Sequence, residues 1–284
     1  MAIVAVVGAG MLGGSLAHKL ASRERFNQVR LIDAAGDIAA GKAADIQQAA
    51  AVERFHTRVT AHDDTDAVVD ADVIVLTGPA ETPDVEWPED VGLHLLARVS
   101  AVNRGAVIVC AGASHRRLVG RGVATLGLPR HRLIGSAPSA FHAALQAIVA
   151  VELRCSASEV SLAVLGIPPQ HIVVPWSEAA VRGVGISQLL DPPRLARLRQ
   201  KVPLVWPPAP YTLASATARV CEAIADGTGR RSMSCFVVLD GELKVRGRTA
   251  AMMVEVGRTG VTRILDPSLS IQERVQLETA LADG

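Results

Sequence analysis

An apolar run, IVAVVG, ends at Gly8 and passes without a break into Gly8-Ala9-Gly10-Met11-Leu12-Gly13 and then GGSLAHKLAS, where small and apolar residues recur at helical spacing. No other feature constrains this chain as much. A β-rich run that stops at glycines and enters a helix at once is the first turn of a dinucleotide-binding α/β unit, and the G-x-G-x-x-G spacing gives each glycine a task. The first permits the tight turn, the second lets a pyrophosphate approach the backbone, and the third brings helix and strand together. The helix N-terminus then faces the anion. Asp33 ends the next strand, QVRLID, twenty residues past Gly13. Its carboxylate would accept from a ribose hydroxyl and repel a 2′-phosphate, so the expected cofactor is NAD rather than NADP. The cofactor-binding set is therefore Gly8, Gly10, Met11, Leu12, Gly13 and Asp33, joined by Gly78 at the end of the apolar stretch DADVIVLTG.

The pattern continues in the same style. AGKAADIQQAAAVERF reads as a helix, HTRVTAHD and DADVIVLTG as strands, VGLHLLARVSAVN as a helix, GAVIVCAG as a strand and SHRRLVGRGVATLG as a helix. Short connections between alternating strands and helices imply right-handed crossovers and a doubly wound parallel sheet, the Rossmann type of α/β fold. The rhythm changes near residue 140. SAFHAALQAIVAVEL is a long helix, SEVSLAVLG a strand, and SCFVVLDGELKV and AAMMVEVGRTGVTRILD are strands joined by Asp-Gly and Thr-Gly turns. The last segment, PSLSIQERVQLETALADG, is a helix with Ser270 as N-cap. Two domains are expected: residues 1–138 for the dinucleotide and residues 139–284 as a mixed α/β substrate-type domain.

Composition narrows the partners. Lys and Arg number 29 against 28 Asp and Glu, so no bulk field draws nucleic acid or an anionic membrane, and 3% aromatic content leaves no stacking platform for single strands. A small molecule is the expected partner. The cysteines, Cys110, Cys155, Cys221 and Cys235, are widely spaced with no C-x-x-C, which speaks against a disulfide framework and against a metal site. The N-terminal apolar run is too short for a signal sequence or a membrane span, so a reducing cytoplasm is expected.

Beyond the glycine loop, VVGAGMLGGSLAHKL, VRLIDAAGDIAAGKAADIQQAA, GLPRHRLIGS, SASEVSLAVLG, VPWSEAAVRGVGISQLL and ASATARVCEAI stand in the order and spacing of one family. Together they resemble the NAD-dependent malate/lactate dehydrogenases over nearly the whole chain. The resemblance implies NAD, a homodimer or homotetramer, and a histidine-aspartate pair that exchanges a proton while nicotinamide exchanges a hydride. It also implies arginines that hold the substrate carboxylate. Against that pattern, Glu81 and Trp87 stand where the mobile loop carries arginines, and a later strand ends in Cys110-Ala111-Gly112 where the family's ends in Ser-Asn-Pro. Phe141 and Ala144 replace the aspartate and the carboxylate-binding arginine, and Pro168 replaces the histidine.

The resemblance thus implies a dehydrogenase-like NAD-binding protein without the usual 2-hydroxy-acid activity, serving in cofactor binding, sensing or scaffolding. Proline cannot exchange a proton, and loss of a general acid/base alone costs about 10² to 10⁴ in rate. The alternative is an NAD-dependent oxidoreductase on another substrate with a relocated base. His171 is the weak candidate for that role, three residues and ~10 Å beyond Pro168, and His142, beside Phe141, is the second. Cys110 with His115 is a further pair, more simply read as a buried core thiol. Between LLDPPRLARLRQKV and ASATARV the stretch PLVWPPAPYTL is shorter than the family's pocket-closing segment. Its prolines forbid a continuous helix, and Trp206 and Tyr211 are expected to pack there.

Overall fold

The computed structural model describes residues 2–283. Six strands form the parallel part: β1 (Ile3–Val7), β2 (Gln28–Ile32), β3 (Arg58–His62), β4 (Val73–Leu76), β5 (Val107–Cys110) and β6 (Leu133–Gly135). They lie in the order β3-β2-β1-β4-β5-β6, the Rossmann order. β1, β4 and β5 are apolar throughout because both of their faces are covered. Alternate residues go to opposite sides: Val4, Val6, Val73, Val75, Val107 and Val109 join one core, while Ala5, Val7, Ile74, Leu76, Ile108 and Cys110 join the other. The connecting helices are α1 (Met11–Ser22), α2 (Gly36–Glu53), α3 (Glu89–Val102) and α4 (Arg116–Leu126). The second helix begins at Gly36, ahead of the expected Ala40, because Asp37 suits the positive first turn.

The second part starts with α5 (Ala137–Leu153), followed by the short strands β7 (Val160–Ser161), β8 (Leu165–Ile167), β9 (His171–Val173), β10 (Ala180–Val181) and β11 (Val184–Gly185). The expected single strand SEVSLAVLG is thus two. Val160–Ser161 pairs with β10 in a three-stranded sheet, and Leu165–Ile167 crosses to the large one. Then come α6 (Ile186–Leu189), α7 (Pro192–Lys201) and α8 (Pro210–Asp226), the last begun by Pro210 at a position where a missing N–H costs nothing. The hairpin strands β12 (Arg231–Asp240) and β13 (Arg246–Gly257), with β14 (Gly260–Ile264) beside β13, precede α9 (Ile271–Asp283). β12 extends the parallel sheet through the antiparallel partnership of Phe236 with Gly135, giving one 11-stranded sheet. Gly135 suits this junction, since a Cβ there would stand 2.9 Å from the Phe236 side chain.

Candidate functional site

The carboxyl ends of β1, β2, β4 and β5 gather around the glycine loop. Gly8 has φ +111° and lies against the Gly78 backbone and the Thr77 hydroxyl, while a Cβ on Gly13 would collide with the Gly8 carbonyl. These two residues therefore serve turn and packing, as their spacing implies. Thr77 Oγ1 donates to the Gly8 carbonyl at 2.8 Å and to the Val7 carbonyl at 3.1 Å. Lys42 Nζ, on α2, donates to the carbonyls of Ala9 and Gly10. Both anchors escaped the sequence reading, although a lysine six residues into a helix beside a phosphate-type loop is a signal that could have been weighed.

Asp33 is 5% exposed, and its carboxylate accepts three backbone N–H groups. Ala9 and Ala80 donate to Oδ2 at 2.8 and 2.9 Å, and Ala35 donates to Oδ1 at 3.0 Å. The Gly10 N–H donates to the Gly78 carbonyl at 3.0 Å, and the Met11 N–H, first in α1, donates to the Pro83 carbonyl at 2.7 Å. A Cβ on Gly10 would stand 2.8 Å from the Pro79 carbonyl oxygen and 3.0 Å from that of Pro83. The residue types suit a dinucleotide, with a helix N-terminus, close-approach glycines and a ribose acceptor. Their partners here, however, are protein atoms, most of them in the segment 78–83.

That segment continues to Glu86 and Trp87. The Glu86 carboxylate accepts from the N–H groups of Ala113 and Ser114 at 2.6 and 2.8 Å and from Ser114 Oγ at 2.5 Å, just ahead of α4. Trp87 Nε1 donates to the Val7 carbonyl at 3.1 Å. Glu81 is exposed. Composition alone could not have located the Glu86 seat, because its partners lie 27 and 28 positions away.

Beyond Trp87 opens a cleft of about 990 Å³ between the two parts of the chain. Pro168 and Pro169 line it on one side, Trp206 and Pro207 on another, and His115, Arg116 and Arg117 on a third. Phe141 is fully buried and meets the Trp206 ring edge-on at 5.4 Å, and Trp206 meets Phe236 at 6.2 Å. The wall behind the cleft is thus an aromatic stack. Tyr211 does not join it, being 74% exposed on α8.

The expected histidines fall elsewhere. His171 opens β9 opposite Ile167 in the sheet and is not among the residues facing the cleft. His142, on α5, is also off the cleft wall, and burial pushes its pKa down. His115 does reach the cleft, but it is 1% exposed and its Nδ1 accepts from the Gly112 N–H at 3.1 Å. Burial lowers its pKa against the opposing pull of Glu86, which keeps the ring neutral. Cys110 is wholly buried at the end of β5, and burial drives its thiol pKa far up, so it is no nucleophile. Among the described residues no group of three or more His, Cys, Asp or Glu is arranged to hold a metal, and no helix is long and apolar enough to cross a membrane.

Comparison with known proteins agrees with this geometry. Residues 2–84 match the lactate/malate dehydrogenase NAD binding domain. Malate dehydrogenase of Dehalococcoides mccartyi is 29% identical over 298 aligned positions, covering 98% of this chain and 95% of its own, and that of Chlorobium chlorochromatii is 29% identical over 294, covering 97% and 94%. Among solved structures, malate dehydrogenase from Salinibacter ruber superposes with a TM-score of 0.89 at 22% identity, covering 99% of this chain and 94% of that one. Lactate dehydrogenase from Cryptosporidium parvum, solved with lactic acid and NAD, superposes with the same TM-score at 21% identity, covering 99% and 95%. Residues 2–84 are thus similar to the NAD binding domain of lactate/malate dehydrogenases, and the whole chain shares the fold of the solved malate and lactate dehydrogenases.

Proposed function

We propose that this protein holds NAD in a dehydrogenase-type fold without carrying out hydride transfer on 2-hydroxy acids, and acts as a cofactor-binding, sensing or scaffolding protein. Gly8, Gly10, Met11, Leu12, Gly13 and Gly78 would hold the diphosphate side and Asp33 the ribose. NAD supplies a hydride acceptor when bound. The observation that carries the proposal is the make-up of the cleft beside it: Pro168 lines one wall and the Phe141-Trp206-Phe236 stack backs another. Neither can take or return a proton. Of the acids and the histidine that line the cleft, Glu86 is engaged by Ala113 and Ser114, Glu89 accepts from Arg121 at 3.1 Å, His115 is buried with its pKa lowered, and Asp84 is exposed on the loop after β4. A relocated base has little support, since His171 and His142 stand off the cleft.

The same reading takes the chain as two domains divided near residue 138, assembled as a homodimer or homotetramer in the cytoplasm, where its four free thiols remain reduced. Purified protein supplied with NADH and oxaloacetate or pyruvate is expected to show no loss of absorbance at 340 nm above the enzyme-free rate. Turnover at an ordinary dehydrogenase rate, about 1 to 10³ per second, would overturn the proposal. Light scattering that returns a mass of 29.8 kDa would overturn the oligomer alone.

A further inference from the structure

We infer that the segment Pro79–Glu86 is an internal stand-in for the dinucleotide, an autoinhibitory plug that must lift before NAD can enter. The inference rests on the proposed retention of NAD binding. It starts from a coincidence of partners. A bound dinucleotide would need an acceptor at the N-terminus of α1, a hydrogen-bond donor toward Asp33 and the open face of Gly10. The segment supplies or fills all three. The Pro83 carbonyl meets the Met11 N–H at 2.7 Å, the Ala80 N–H meets Asp33 Oδ2 at 2.9 Å, and the carbonyls of Pro79 and Pro83 cover Gly10. Glu86 then fastens the far end with three hydrogen bonds at the start of α4. A diphosphate and this segment cannot share the cradle.

Two features make the seat reversible. Residues 81–85 are exposed, with Val85 at 51%, so between Ala80 and Glu86 the plug is held through the Pro83 carbonyl and little buried. Segments of that kind open locally at low free-energy cost. The plug also brings only a neutral carbonyl to the positive end of α1, where a diphosphate brings formal negative charge and the Lys42 ammonium lies within reach of the same loop carbonyls. The apparent affinity for NAD is then the intrinsic affinity multiplied by the fraction of molecules with the plug lifted.

The test compares the full-length protein with the double variant A80P/E86A. Proline at 80 has no N–H to give Asp33, and alanine at 86 releases the Ala113 and Ser114 amides. Titration with NADH, followed by calorimetry, is expected to show affinity raised about tenfold or more in the variant. Hydrogen exchange is read alongside. In the wild type without cofactor, the amides of Met11 and Ala80, which donate to Pro83 and Asp33, are expected to be protected, and saturating NADH should leave Met11 protected while Ala80 exchanges faster. Should the double variant not fold, E86A alone carries the test, with a several-fold gain expected. Equal affinity in wild type and variant would overturn the plug and leave NAD binding standing. Ala80 exchange in the wild type that NADH leaves unchanged would do the same. No binding by either protein at millimolar NADH would overturn both the plug and the retention of NAD.

Discussion

Gly10 differs from Gly8, whose φ is +111°, because its backbone is unstrained. With φ −64° and ψ −166° it adopts a conformation open to any residue, so an added methyl group acts only through space. Gly10→Ala should push the segment 78–86 outward and cost about 1–3 kcal/mol by overpacking, readable by urea unfolding and by faster exchange over that segment. Wild-type exchange in the variant would mean that the segment never rested on Gly10. The cysteines make a second residue-level test. Cys110, Cys221 and Cys235 are fully buried with thiol pKa values raised by burial, to about 12 for Cys235, whereas Cys155 is partly exposed. Native protein treated with iodoacetamide should carry one label, on Cys155, by mass spectrometry. Labelling of Cys110 in the folded state would reopen its reading as a nucleophile.

Among the elements, α9 is held by one carboxylate. Glu273 accepts from the Ser177 N–H at 3.0 Å and Ser177 Oγ at 2.5 Å, and from the Ser270 N–H at 3.0 Å and Ser270 Oγ at 2.8 Å. Ser270 is thus the N-cap read from the sequence, and Glu273 completes a capping box while tying the helix to the turn after β9. Burial by itself would raise the Glu273 pKa, but these hydrogen bonds outweigh it and hold the group at about 2. A folded-state pKa below the ordinary 4.5 contributes stability that is fully present above 4.5 and is lost as pH falls from there toward about 2. Glu273→Gln should therefore be less stable than wild type near neutrality, with the gap closing through that acidic window. A gap independent of pH would remove the carboxylate from the account.

At the scale of the whole molecule, most of the parallel sheet was legible because β1, β4 and β5 are short apolar runs bounded by turn residues, and the glycine loop fixed where the first crossover begins. The C-terminal hairpin was legible from Asp240-Gly241 and Thr259-Gly260. The two- and three-residue strands were not, since Val160–Ser161 and Leu165–Ile167 owe their sheets to distant partners rather than to a local period. The same limit applied at the site. Asp33 could be identified as a conspicuous carboxylate at a strand end, but that Ala80 would donate to it depends on a loop folding back across 47 positions. One outcome of that fold-back bears on how such chains are read. The small side chains at 8, 10 and 13 and the acid at 33 are all required by the protein's own backbone, whether or not a nucleotide ever visits. A lineage that had abandoned its coenzyme long ago would be under pressure to keep the whole fingerprint intact.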